Sequence, residues 1–163
     1  MKAIHLLALP LVLILTGCSQ PNARVITRFN REAEVSGELP YNPLQWEVIA
    51  STLNHKDHTL ATVLGNDRAI AHARKNDTHA YPAGSVLSVI TWSQEEDPRW
   101  FGGKIPGDVR SIEFVEVQSA QDQKTYLYTL YGGSPLKKLA STDEKSPTGR
   151  AAYILGERAG VVP

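Results

Sequence analysis

The sequence is poor in sulfur and has no cluster of basic residues. Its 163 residues include one cysteine, Cys18, and one methionine, Met1. A single cysteine excludes an intrachain disulfide, a Cys-x-x-Cys pair and a cysteine-rich zinc site. The 17 basic residues balance 17 acidic ones, and no Lys/Arg block provides the electrostatic footprint of nucleic-acid binding. We therefore do not expect a nucleic-acid partner.

The common signatures of catalysis are also missing. No serine lies in a Gly-x-Ser-x-Gly motif, and the segment 102–104 (Gly-Gly-Lys) lacks the spacing and the following Ser/Thr of a phosphate-binding loop. Glu113 and Glu116 lie in a predicted strand at a spacing that puts them on opposite faces, so they cannot act as an acid–base pair. The sequence shows no nucleophile–base–acid set and does not predict an enzyme.

The first seventeen residues have the features of an export signal. A short basic start at Lys2 precedes an almost wholly apolar stretch, residues 3–16, which is too short for a stable transmembrane span. Residues 15–18 (Leu-Thr-Gly-Cys) resemble the lipobox of bacterial lipoproteins. This resemblance implies removal of residues 1–17 and attachment of acyl chains such as palmitate at Cys18, which would anchor the protein stably in a membrane.

The residue after the lipobox cysteine is Ser19 and not aspartate, which resembles the sorting pattern of outer-membrane lipoproteins. The expected location is the outer membrane, facing the periplasm. The mature chain would keep no free thiol and no thioether, so cysteine nucleophiles and Cys or Met haem ligands are excluded. We expect residues 18–43 to be a tether and lead-in, in which residues 24–35 form either a short helix or extended chain, and residues 44–163 to be the folded domain.

From Trp46 onward the pattern is rich in β-structure. Residues 85–92 carry apolar side chains on both faces, which predicts a central strand covered on both sides. Asn66 is suited to cap a helix. The predicted strands are 46–53, 58–64, 85–92, 109–117 and 125–131, and the predicted helices are 67–75 and 147–160. The chain is therefore expected to be one α+β domain, with an antiparallel sheet of about five strands and two or three packed helices.

Short motifs follow one another in a characteristic order between Leu44 and Leu139. They are the segment 48–73 with its Leu-Gly-Asn-Asp, the turn 81–86 (Tyr-Pro-Ala-Gly-Ser-Val), Trp92 with Pro98-Arg99-Trp100, Pro106-Gly107, and Ile112-Glu113-Phe114. In order and spacing they resemble the cytochrome P460 domain family. The resemblance implies an antiparallel sheet with helices packed on it, often in a homodimer.

The resemblance also implies a cofactor that this sequence is not equipped to hold. Cytochrome members attach a c-type haem to a C-terminal Cys-x-x-Cys-His, and some link a lysine to the porphyrin. Here the corresponding segment is 146–153, no Cys or His follows His79, and Val89 aligns with the lysine position. Because thioether attachment needs thiols, we expect a haem-free member, to which the redox chemistry on hydroxylamine or nitric oxide does not carry over.

Four aromatic residues around the central strand are candidates for a remnant of the haem pocket: Tyr81, Trp92, Trp100 and Phe101. One interpretation is that they line a site for a smaller apolar ligand. The other is that the rings fill the volume of the lost cofactor, which is favoured because empty apolar space destabilises a fold. We prefer the second interpretation.

The histidines offer weaker alternatives. His55 and His58 flank a polar turn, but a metal site usually needs three or four converging ligands, so a solvated turn is the simpler interpretation. His72, His79 or a tyrosine could instead ligate a noncovalent haem. The sequence thus favours a ligand-binding or interaction module, and the alternative is a noncovalent haem protein with a redox or nitric-oxide-handling role.

Overall fold

The computed structural model describes residues 30–75, 80–120, 123–140 and 147–160. The predicted signal peptide, Cys18 and His79 lie outside these residues. None of the helices within the described ranges is both long and apolar enough to span a bilayer.

Six antiparallel strands form one sheet, in which each strand pairs with its neighbours in sequence. The strands are β1 (Glu47–Asn54), β2 (Thr59–Gly65), β3 (Val86–Glu96), β4 (Lys104–Ala120), β5 (Gln123–Gly132) and β6 (Lys137–Lys138). The helices are α1 (Asp67–Lys75) and α2 (Pro147–Gly156), and a single 3-10 turn spans Pro43–Gln45. The predicted α+β class and antiparallel sheet are confirmed. The sixth strand, β6, is a two-residue pairing that was not among the predicted strands.

Strand β3 is covered on both faces, as its sequence predicts. Leu87 and Val89 face the two helices and belong to a core that also contains Val115 and Ile154, which we call the helix-side core. Ile90 on the other face packs with the second core, whose aromatic members are Tyr131, Trp92 and Phe114. We call this second cluster the aromatic core.

The N-terminal segment, residues 33–46, covers the aromatic core. The rings of Tyr41 and Trp46 lie 5.7 and 6.3 Å from the ring of Phe114, measured between centroids. The indole N–H of Trp92 donates to the carbonyl of Ala33 over 3.1 Å. Residues 33–43, assigned to the lead-in from sequence, therefore pack against the sheet. Of the helix considered for residues 24–35, the described part (30–35) forms a turn, and the rest lies outside the described residues.

Asn66 caps α1 and also joins it to β3. Its side-chain oxygen accepts from the backbone N–H groups of Ala69 and Val86, at 3.0 and 3.2 Å. Its amide N–H donates to the carbonyl of Gly84 over 3.0 Å. The predicted cap is confirmed, and it fixes the helix at the start of the central strand.

Two element ends differ from the prediction. The β3–β4 hairpin continues to the pair Glu96–Lys104, whereas the predicted strands were 85–92 and 109–117. Register shifts after Thr91 and Trp92 let Pro106 pair with Gln94, since a bulge tolerates a proline that an ordinary ladder does not. Helix α2 ends at Gly156, because the following chain turns back and the N–H of Gly160 donates to Ile49 on β1.

Candidate functional site

A buried ion pair joins the C-terminal helix to the sheet. Glu113 on β4 is only 6% exposed, and its carboxylate accepts from Arg150 of α2 at two points. Nε donates to Oε1 over 2.7 Å and Nη2 donates to Oε2 over 2.6 Å. The hydroxyl of Tyr128 on β5 donates to Oε1 over 2.6 Å. Both carboxylate oxygens are thus occupied by short bonds, which a buried charge requires.

The electrostatics of this cluster keep its donors protonated. The hydrogen bond to Glu113 raises the pKa of Arg150 above its ordinary value. Burial, and then the hydrogen bond to Glu113, raises the pKa of Tyr128 far above that of an ordinary tyrosine. The guanidinium also lies over the ring of Tyr153, 5.0 Å from its centroid. The arrangement positions α2 and keeps Tyr128 and Arg150 protonated at neutral pH.

The residues of α2 do not fit a covalent haem. This helix lies in the segment that the resemblance led us to expect in place of the haem-attachment motif, and its residues include no thiol and no imidazole. Ala151 and Ile154 are fully buried in the helix-side core, and Arg150 is committed to Glu113. The face beneath the helix is therefore occupied by packed side chains and an ion pair, and we derive no chemistry through a haem.

The four aromatic candidates do not meet at one place, which corrects the grouping suggested by the sequence. Tyr81 lies in the helix-side core, and Trp92 lies in the aromatic core on the opposite face of the sheet. Trp100 and Phe101 are exposed at the tip of the β3–β4 hairpin. Two physical reasons separate these residues. Side chains alternate between the two faces of a sheet, and the length of this hairpin carries its tip away from both cores.

The histidines are dispersed. His55 and His58 are exposed in the β1–β2 turn, where Asn54 already bonds Asp57 over 2.8 Å. The ring of His72 on α1 lies 4.7 Å from the ring of Tyr81, and His79 lies outside the described residues. In the parts of the chain that the structure describes, no three His, Cys, Asp or Glu side chains converge to hold a metal ion.

Two of the open clefts formed by the described residues lie at the surface of the domain. One, of about 370 Å³, lies between the N-terminal segment and the strand ends, and Glu32, Asp108, Arg110 and Ser134 contribute to its lining. The other, of about 440 Å³, lies at the start of α1, beside Asn66 and Arg68. Charged and polar side chains dominate both linings, so these clefts suit polar contacts with a partner better than an enclosed apolar ligand.

The importance of Glu113 was missed from the sequence. As a candidate catalytic residue, Glu113 was considered only together with Glu116 and was set aside. The available signal was a lone carboxylate among Ile112, Phe114 and Val115, because a charge in an apolar strand needs a buried partner. Nothing in the sequence pointed to Arg150, which lies 37 residues away.

Comparison with known proteins identifies the family of the chain. The profile of the family described as Cytochrome P460 matches residues 41–150, which span β1 to β6 and reach Arg150 of α2. A search of curated proteins finds no match for the chain. The matched region covers well over half of the sequence, and the fold agrees with the antiparallel sheet that the motifs predicted. The chain belongs to the cytochrome P460 family.

Proposed function

We propose that this protein is a lipid-anchored lipoprotein of the outer membrane, facing the periplasm, in which a haem-free P460 domain serves as an interaction module. The observation that carries the proposal is the bond between Arg150 and Glu113. A helix that would bear the haem attachment in cytochrome relatives is here fixed to the sheet by a salt bridge. The lipobox-like segment ending at Cys18 supports the anchor.

Surface contact is a better description of the module than capture of an enclosed ligand. Tyr81 and Trp92, two of the rings considered for an apolar pocket, are packed into separate cores. The large exposed apolar side chains lie outside these cores, with Trp100 and Phe101 the most exposed of those in the described residues. Exposed aromatic residues at such positions are typical of binding surfaces.

The haem-free state is tested by an absorption spectrum and a bound-metal assay on the mature chain exported to the periplasm. We expect no Soret band and no stoichiometric iron, and no Soret shift after addition of micromolar hemin. A stoichiometric haem in protein purified from its own host would overturn the proposal.

The anchor is tested separately by metabolic labelling with an alkyne analogue of palmitate. Wild-type protein should incorporate the label and fractionate with the outer membrane. Cys18→Ser should do neither, and Ser19→Ala is the matched control that should keep the label. An unlabelled wild-type protein would remove the anchor from the proposal without touching the haem-free domain.

The second candidate is a noncovalent haem protein, and the observation that favours it is the contact between His72 and Tyr81. These two potential ligands lie side by side, with 4.7 Å between ring centroids. If hemin does bind, His72→Ala should abolish the Soret shift, whereas His55→Ala in the exposed turn should leave it unchanged. A shift that survives His72→Ala would eliminate this candidate site.

A further inference from the structure

The tip of the β3–β4 hairpin presents two large aromatic side chains to solvent. Trp100 is 73% exposed and Phe101 is fully exposed. By contrast, Trp92 is buried and Trp46 is half-buried. We call Trp100 and Phe101 the aromatic tip. Adjacent exposed aromatic residues are unusual on a soluble surface and mark a contact site.

The exposure of the aromatic tip is built into the loop. The carbonyl of Trp100 accepts from the N–H of Gly103 over 2.8 Å, and Gly102 adopts a φ of +75°, as the third residue of a type II turn requires. The carboxylate of Asp97 accepts from the N–H of Arg99 over 2.8 Å, and the Asp97 N–H donates to Gly103. These bonds hold the turn in one conformation that directs both rings outward.

The two basic side chains next to the aromatic tip are paired with acidic ones. Arg99 lies 3.6 Å from Asp97, and Lys104 bonds Glu96. The loop therefore has no excess of basic residues that would draw it to an anionic surface. Its affinity for a partner would come from the two rings. The headgroup region of a bilayer is a suitable partner, because Trp and other aromatic residues accumulate there.

The residues just before the N-terminal segment lie beside the same hairpin. The side-chain amide of Asn30 donates to the carbonyl of Pro106, and the charge of Glu32 acts on Glu95 of β3. Asn30 lies only twelve positions after Cys18, a span of at most roughly 40 Å when fully extended. A lipid at Cys18 would thus hold the domain close to the bilayer at the end that carries the aromatic tip.

We propose that Trp100 and Phe101 insert into the interface of the bilayer in which Cys18 is anchored, as a second and weaker membrane contact that orients the domain. The occupant of this surface is thus the lipid headgroup region. The inference rests on the proposed anchor for its geometry, but the aromatic tip is testable without it.

The experiment uses the full mature chain with Cys18→Ser, which carries no lipid, and vesicles of phosphatidylethanolamine with or without phosphatidylglycerol. Sedimentation measures binding up to millimolar lipid, and quenching by brominated acyl chains reports on Trp100. We expect binding that is similar in both vesicle types and at low or high salt.

The double variant Trp100→Ser/Phe101→Ser should bind vesicles about tenfold more weakly or worse. The control variant is Leu44→Ser/Leu127→Ser, which removes exposed apolar residues elsewhere. It should bind vesicles as the parent does.

The possible outcomes separate the two proposals. The inference would be overturned if the parent does not bind vesicles, or if the tip variant binds as well as the parent. It would also be overturned if binding disappears when phosphatidylglycerol or salt is added. Self-association that the tip variant abolishes, seen by sedimentation velocity without vesicle binding, would instead assign the surface to a second copy of the chain. The palmitate assay fails or succeeds independently of all these results. Circular dichroism and an unchanged Tm establish that the variants are folded.

Discussion

Arg150 of the C-terminal helix and Glu113 of the sheet form a two-point ion pair, with donor–acceptor distances of 2.7 and 2.6 Å. Tyr128 completes the set by donating to the same carboxylate. The pair lies at the margin of the helix-side core and gives α2 a single position on β4 and β5. A planar guanidinium matches a carboxylate in this way where a lysine would not.

Arg150→Met should lower the free energy of unfolding by about 3 kcal/mol, because it leaves the buried Glu113 carboxylate without its counter-charge. Urea denaturation measures the loss. Arg99→Met is the matched control, since Arg99 is exposed and its pair with Asp97 should contribute at most about 1 kcal/mol. Adding Glu113→Leu to Arg150→Met should recover part of the loss. A cost below about 1 kcal/mol for Arg150→Met would contradict our interpretation of the pair.

Asn66→Ala should destabilise the protein by about 1–2 kcal/mol, since it removes the acceptor for Ala69 and Val86 and the donor to Gly84. Asn66→Asp keeps the acceptor oxygen and should cost less. Thermal unfolding ranks the three proteins. Equal stability of the alanine and aspartate variants would show that the cap oxygen does not join α1 to β3.

Gly65→Ala and Gly149→Ala should change stability in opposite directions. A Cβ at Gly65 would lie 2.8 Å from both Ala69 Cβ and Ile49 Cδ1, so crowding between β2 and α1 should cost about 1–3 kcal/mol. A Cβ at Gly149 in α2 meets nothing within 4 Å, and the higher helix propensity of alanine should stabilise by about 0.5–1 kcal/mol. Chemical denaturation of both variants checks the two signs, and a stable Gly65→Ala would show that this contact can relax.

Glu95→Gln should raise Tm at pH 7. The charge of Glu32, then desolvation, holds the pKa of the Glu95 carboxyl above its ordinary value of 4.5. The folded chain therefore binds more protons than the unfolded chain between that value and the raised pKa, so stability falls as pH rises through this window. The variant removes the repulsion, and its advantage should vanish as the pH falls to about 4. Glu96→Gln is the control, since it loses a bond to Lys104 and should gain nothing. A Glu95→Gln advantage that persists at low pH would exclude this repulsion as the cause.

Most of the fold could be predicted because local signals agree with the tertiary structure. The boundaries of α1 follow from Asn66 and the small apolar stripe, and β3 follows from its two apolar faces. The long hairpin could not be predicted, because Gln94–Glu96 and Pro106–Gly107 have the composition of a loop. They pair only because the register shifts between β3 and β4 accommodate them.

The candidate site was harder to predict than the fold. The four aromatic residues were expected to lie together, but they lie apart, because their positions depend on which face of β3 each approaches. The sequence does not specify the path of the chain around the sheet. The pair formed by Glu113 and Arg150 depends on a contact between elements 37 residues apart. The burial of Glu113 could be inferred from its apolar neighbours, whereas the identity of its partner required the packing of α2.

The neighbour-to-neighbour order of the strands has a kinetic consequence. Each strand pairs with the one before it, so hairpins can form progressively as the chain emerges. The connections to close are short except between β2 and β3, where α1 intervenes. The N-terminal segment is the exception, because its contacts with Trp92, Phe114 and Leu136 await the last strands. The part of the domain that is synthesised first is thus among the last to dock, and its docking marks the completion of the sheet.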